Sequence, residues 1–239
     1  MKKFGSGKKF GDILTILLVI IIIGIIALLA VFGYRAIVKN KTENEAAQAV
    51  EDFYKTLETD DDEEETSDDT SADLSQFITE TDYSSSSSTA ARTKTYLDEY
   101  EVKGTINIPA TGIEYPILEK ATVGSLSKAV GILEIATCDE ITETITDLNV
   151  PGTNALILGH NYRNGQFFSD NDQLEIGDVI KITDQLGETV SYTIYNMYYT
   201  TADDISFLER DLDPDVREIT LQTCNDDSSQ RLIIWAKDS

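Results

Sequence analysis

Three side chains with reactive or strongly charged heads stand at the ends of apolar runs. Cys224 closes Ile219-Thr-Leu-Gln-Thr-Cys224, His160 follows Ala155-Leu-Ile-Leu-Gly159, and Arg231 opens Arg231-Leu-Ile-Ile-Trp-Ala236. Brought to one strand rim, these types are those of thiol acyl transfer. The thiolate is the reacting form of Cys, and a neighbouring His and Arg both favour it. An imidazole there protonates a leaving amine and later deprotonates an incoming one. An Arg, cationic at every working pH, stabilises the oxyanion of a tetrahedral intermediate, with backbone N–H groups such as that of Asn225 as further donors. Taken singly, each residue has a plainer reading: a structural His, a buried inert thiol, a surface strand charge. A Cys138–Cys224 disulfide is a further alternative, and it would remove the nucleophile. With one His and two Cys in 239 residues, all His-dependent chemistry falls to His160, and a zinc site built from Cys and His is nearly excluded.

The elements that must position these residues are short β-type runs punctuated by Gly, Pro, Asn and Asp from about Tyr96 onward. The expected strands are Gly104–Ile108, Ile113–Leu118, Asn154–Leu158, Val179–Thr183, Thr189–Tyr199, Glu218–Thr223 and Arg231–Lys237. Period-two spacing puts Val190, Tyr192, Ile194 and Tyr198 on one face of the longest run. Seven or more short strands with little helical patterning predict an all-β barrel or sandwich over residues 95–239.

The first part of the chain is built differently. Ile13–Phe32 is 20 residues without a charge, enough at about 1.5 Å per residue to span a bilayer's hydrocarbon core of roughly 30 Å. Residues 1–12 are a basic N-terminus and 13–33 a transmembrane helix. A cleaved signal peptide is the competing reading, but the apolar run is long for one, and Leu28-Leu29-Ala30 lacks a small-x-small site. Lys2, Lys3, Lys8 and Lys9 precede the run and Arg35, Lys39 and Lys41 follow it, so flanking charge favours a cytoplasmic N-terminus only narrowly. Ala46, Val50, Phe53 and Leu57 recur at helical spacing, predicting a juxtamembrane amphipathic helix over 34–57. Glu58–Asp69 then packs nine carboxylates into twelve residues and Ser84–Ser88 is pure serine, so 58–94 reads as a flexible acidic spacer.

The segments Gly104-Thr-Ile-Asn-Ile-Pro109, Ile113-Glu-Tyr-Pro-Ile117, Asn154-Ala-Leu-Ile-Leu-Gly-His160, Phe167-Phe168, Leu174-Glu-Ile-Gly-Asp-Val-Ile180 and Thr220-Leu-Gln-Thr-Cys224, with Arg231 downstream, together resemble the sortases. The Thr-Leu-x-Thr-Cys signature with a Gly-His upstream is the most specific of these. The resemblance implies a closed eight-stranded β-barrel with short helices, behind a transmembrane helix and stalk. It also implies a membrane-anchored cysteine transpeptidase on the wall side of a Gram-positive cell. By it, Cys224 is the nucleophile that attacks the Thr–Gly carbonyl of an LPxTG-like sorting signal, His160 the general acid/base, and Arg231 the stabiliser of the substrate carbonyl or oxyanion. Its partners are secreted proteins bearing that signal and an amine of peptidoglycan precursor or pilin. The catalytic domain then faces outward, and Cys138 has no assigned role. With no Asp-Pro-aromatic lid motif, a housekeeping or class D-like member is the preferred placement.

The sequence carries 19 basic against 43 acidic residues, a net charge of −24, which argues against a nucleic-acid partner. The 200–218 loop holds Asp203, Asp204, Glu209, Asp211, Asp213 and Asp215. Some sortases bind Ca²⁺ with acidic loops, but the spacing here matches no EF-hand and reads as a solvated loop, so no cofactor is expected. Two other functions stay open at this stage: a membrane-tethered binding module that no longer catalyses, and a thiol hydrolase with water as acceptor.

Overall fold

The computed structural model describes residues 7–61, 93–138, 141 and 145–238. They fall into two compact units, Met1–Asn44 and Glu45–Ser239. One helix, α1 (Gly7–Asp61), begins in the first and ends in the second. No proline interrupts it, and the i,i+4 pairs Lys39–Glu43 and Lys55–Glu51 lie along it. It runs past the expected end at Leu57, stopping within the carboxylate run, where the negative end of the helix dipole opposes further acidic residues. Residues 62–92, most of the expected acidic spacer, lie outside the described residues. In the first unit the side chains from Ile16 to Phe32 are exposed, and the helix is long and apolar enough to cross a membrane by length and composition.

Nine strands follow: β1 (Tyr96–Leu97), β2 (Tyr100–Ile108), β3 (Ile113–Leu118), β4 (Val130–Thr137), β5 (Thr153–Leu158), β6 (Val179–Asp184), β7 (Thr189–Thr201), β8 (Glu218–Cys224) and β9 (Gln230–Lys237). A single-turn helix, α2 (Val123–Leu126), precedes β4 and is closed by a capping box between Thr122 and Ser125. The sheet order is β1-β2-β3-β4-β5-β8-β9-β7-β6, and a β2–β6 pairing closes it. Eight strands, β2 to β9, therefore make a closed barrel, with β1 a two-residue addition at its edge. Closure removes the free strand edges that would otherwise pair with other chains. The interior is filled by alternate residues of the strands, among them Ile106, Ile117, Ile157, Ile182, Tyr192, Leu221 and Ile234.

Two features differ from the sequence-based expectation. Strand β4 was not among the expected strands, because its pairing with β5 shifts register between Ile132 and Glu134 and its alternation breaks there. In β7, the pairing with β9 skips from Ile194 to Asn196, so Tyr195 is an extra residue. The bulge reverses the parity of the strand. Val190, Tyr192 and Ile194 face the interior as expected, but Tyr198 lies on the other face with Leu156, Leu158, Phe207, Ile233 and Trp235.

Within the second unit, the end of α1 packs on the barrel. Ala49 and Phe53 join Leu97, Tyr100, Val102, Leu118 and Ala129 in a cluster of their own, with Leu57 against it. Tyr54 and Thr105 share a hydroxyl hydrogen bond of 3.0 Å, and Thr56 and Thr95 one of 3.2 Å. The amphipathic stripe read from the sequence is thus buried against the β2–β3–β4 side of the barrel.

Candidate active site

Strands β5 and β8 run parallel with Leu158 opposite Gln222, and a further ladder bond from Gly159 N–H to the Gln222 carbonyl, 3.2 Å, continues that register. Carried two residues past the end of β5, the same register sets His160 level with Cys224. On the other side β9 runs antiparallel to β8, with Arg231 directly opposite Cys224. His160, Cys224 and Arg231 therefore form one row across three adjacent strand ends, with strands about 4.8 Å apart. Paired residues of neighbouring strands point to the same face, so the row lies on the outer face, with Leu158, Gln222, Ile233 and Tyr198 in the next row.

Local packing fixes each position. Gly159 must be glycine, since a Cβ there would sit 2.5 Å from the Phe168 ring. The chain then turns through a loop closed by the Asn161–Phe167 bridge and by the Phe168 N–H to His160 carbonyl bond, 3.1 Å. The His160 ring stacks on Tyr162 at 4.9 Å, Tyr162 meets Phe167 at 5.6 Å, and Phe167 meets Tyr115 at 5.1 Å, tying the imidazole to the barrel interior. Burial lowers the His160 pKa below its ordinary value, which favours the neutral ring. Both cysteines are free thiols, Cys138 buried and Cys224 partly open, so the alternative disulfide is not formed.

Arg231 directs Nη1 back to the carbonyls of Ser228 and Gln230, at 3.3 and 3.2 Å. Among the described residues its Nε and Nη2 have no protein partner. The Asn225 N–H, considered above as an oxyanion donor, instead donates to the Gln230 carbonyl at 3.1 Å, closing the β8–β9 turn. It is not available in this conformation, which leaves Arg231 as the charged donor of the row.

A residue whose role the sequence did not reveal is Asn161. Its Nδ2 donates to the Cys224 carbonyl at 3.0 Å and to Asp226 Oδ1 at 3.3 Å, stitching the exit of β5 to the end of β8. Its place directly after the Gly-His pair was the only available signal. The 202–217 loop covers the outer face below the row. Phe207 packs on Leu156 and Ile233, while Arg210 is paired with Glu218 and lies 4.2 Å over the Trp235 ring. Two of its acidic residues are used locally: Asp204 accepts from Thr200 and from Ser206 N–H, and Asp213 from Asp215 N–H. No group of three or more His, Cys, Asp or Glu arranged to hold a metal ion occurs among the described residues.

A family model described as the sortase domain matches residues 106–239. Sortase A of Bacillus anthracis is 30% identical over 142 residues, which are 58% of this chain and 60% of that protein, so the match spans less than two thirds of that relative. Among solved structures, a lid mutant of sortase A from Corynebacterium diphtheriae is 27% identical, covering 59% of this chain and 72% of that one with a TM-score of 0.48. The Clostridium perfringens Sortase D5 transpeptidase is 28% identical over 58% of this chain and 79% of that one, with a TM-score of 0.47.

Proposed function

Because the chain belongs to the sortase family, whose members are cysteine transpeptidases, we propose that it cleaves an LPxTG-like sorting signal at the Thr–Gly bond and transfers the acyl group to an amine. The observation that carries this reading is the row His160–Cys224–Arg231 on three adjacent strand ends. Neutral His160 takes the Cys224 proton, and the thiolate attacks the Thr carbonyl carbon. The oxyanion that forms is held by the free N–H groups of Arg231. The C–N bond then breaks as the imidazolium protonates the departing Gly nitrogen, leaving a thioester on Sγ. The amine of a peptidoglycan precursor or a pilin resolves it. The partly buried Leu158 and Tyr198, one row below on the same face, offer an apolar floor for the Leu-Pro part of the signal. With the helix of the first unit in the membrane and its N-terminus in the cytoplasm, the barrel works on the wall side.

The test is mass spectrometry of the full-length chain in detergent, incubated with a sorting pentapeptide followed by a leaving segment. Wild type gains the acyl mass on Cys224. Cys224→Ala gains none, His160→Ala loses about 10²–10⁴-fold in rate, and Arg231→Lys is much slower because the planar fork is lost. Peptide cleavage by the Cys224→Ala protein at the wild-type rate would refute the mechanism. An unmodified wild-type Cys224 across a panel of sorting peptides would favour a binding module instead.

A further inference from the structure

The end of β8 has a second face. On the side opposite the Cys224 side-chain row, a cavity of about 220 Å³ opens at the barrel mouth, its lining including Phe168, Asp172, Tyr199, Thr223 and Leu232 together with Asn161 and the β8–β9 turn from Cys224 to Asp226 and at Gln230. Its size suits one side chain rather than a drug-sized ligand, for which pockets of about 300–1,000 Å³ are usual. Its chemistry is two-part. Phe168, Leu232 and the Tyr199 ring form an apolar surface, while Asp172 and Asp226 supply two carboxylates and no Lys or Arg lines the space. Among the described residues neither carboxylate has an ion-pair partner; Asp226 accepts only from Asn161. Both act on Tyr199, whose phenol is held above its usual pKa first by burial and then by these two charges. An independent sign of an absent ligand is Thr223. It is 4% exposed, it lines the cavity, and its hydroxyl has no hydrogen-bond partner. A buried hydroxyl left unpaired is costly unless something polar meets it.

We propose that this cavity is the acceptor subsite, binding the primary ammonium and alkyl stem of the amine that resolves the thioester. The proposal rests on the transpeptidase reading above. The sorting peptide then occupies the outer face, and the amine reaches the same carbonyl from the barrel mouth, so the two substrates do not compete for one groove. The carboxylates hold R–NH₃⁺, which gives one proton to solvent as it advances. The free amine attacks the thioester carbonyl, the N–C bond forms, and the second proton passes to His160. The C–S bond breaks with its electron pair on Sγ, returning Cys224 as thiolate beside imidazolium. The Thr223 hydroxyl is placed to accept from the incoming amine.

The test is the partition of the acyl-enzyme of the full-length chain in detergent between amine-coupled and hydrolysed product. Two charged acceptors are used, Nα-acetyl-lysine amide and triglycine amide, with hydroxylamine, uncharged near neutral pH, as the neutral nucleophile. Asp172→Asn and Asp226→Asn should each lower partition to a charged amine about tenfold, the scale for removing one unit charge near an ammonium at a protein surface. Partition to hydroxylamine should change less than twofold. The acceptor with the larger loss identifies the kind of amine the cavity fits. Asp172→Glu, which keeps the charge, should restore most of the coupling and so separates charge from misfolding. Equal losses for charged and neutral nucleophiles, or none for either charged amine, would overturn the proposal. A wild-type protein that forms no acyl-enzyme at all would instead overturn the transpeptidase reading on which it stands.

Discussion

Phe53 gives the sharpest test of where the barrel unit begins. It is 2% exposed and sits at the centre of the cluster made by Ala49, Leu97, Tyr100, Val102, Leu118 and Ala129. Truncation to Ala removes a fully buried ring between α1 and β2–β3–β4, where the neighbouring strands are fixed by barrel pairing and relax little into the space. Such a change costs about 3–5 kcal/mol. At about 2–4 °C per kcal/mol for a unit of this size, the melting temperature should fall by about 6–20 °C. The measurement is thermal unfolding of the full-length chain in detergent, followed by near-ultraviolet circular dichroism of the barrel aromatics. Tyr54→Phe, which deletes only the 3.0 Å contact to Thr105, should cost about 1 kcal/mol. If Phe53→Ala melts within 2 °C of wild type, the helix end is an appendage rather than part of the unit, and the packing argument fails.

Three further outcomes follow from named contacts. Arg210→Leu leaves Glu218 buried without its charge partner and should cost about 3–5 kcal/mol, with the double variant Arg210→Leu/Glu218→Gln recovering part of it in denaturant titrations. For Glu101, burial raises the carboxyl pKa, but bonds from Lys94, Gln185 and Lys103 outweigh it and bring the group down to about 2. A depressed carboxylate stabilises above its unfolded pKa and loses that contribution as pH falls. Glu101→Gln should therefore cost about 2 kcal/mol at pH 7, discounted for the exposure of Lys94, with the cost disappearing as pH falls through about 2. The same sense holds for His160, whose depressed pKa means that the unfolded chain binds the proton more readily. Stability should fall as pH drops below about 6.5 and level off below the folded-state pKa, and His160→Gln should remove that step from a pH series of unfolding midpoints.

Much of the barrel was legible because seven of its strands carry a period-two or continuous apolar signal long enough to read. The strand that was not, β4, is the one whose alternation is broken by a register shift after Ile132. A bulge is invisible for the same reason: nothing in Ile194-Tyr195-Asn196 announces that Tyr195 will be skipped by β9, yet that skip sends Tyr198 outward and Tyr199 to the mouth cavity. The three residues proposed to react were singled out by type and by their positions at run ends. Asp172, Tyr199 and Asp226 were not, because their role depends on a face of the barrel mouth that only the closed sheet creates. The Asn225 N–H was misread for a local reason, since the turn that returns β8 into β9 claims it.

Strand direction is what turns three scattered residues into a site. Cys224 lies at the C-terminal end of β8 and His160 two residues past that of β5, so they can be neighbours only if β5 and β8 run parallel. A parallel pair cannot be joined by a tight turn, and the connection here makes the excursion through β6 and β7 before returning as β8. Arg231 lies at the start of its strand, so it joins the row only by antiparallel pairing through the short β8–β9 turn. The parallel junction is the weaker of the two at this level, because β5 has already ended at Leu158. There the Gly159–Gln222 ladder bond and the Asn161 side chain take over what the strand no longer supplies. Asn161 therefore meets Cys224 at its backbone carbonyl and the mouth cavity through Asp226. On the proposed mechanism, loosening Asn161 would disturb the Cys224 strand end and the Asp226 carboxylate together, tying the two proposed half-reactions to a single structural element.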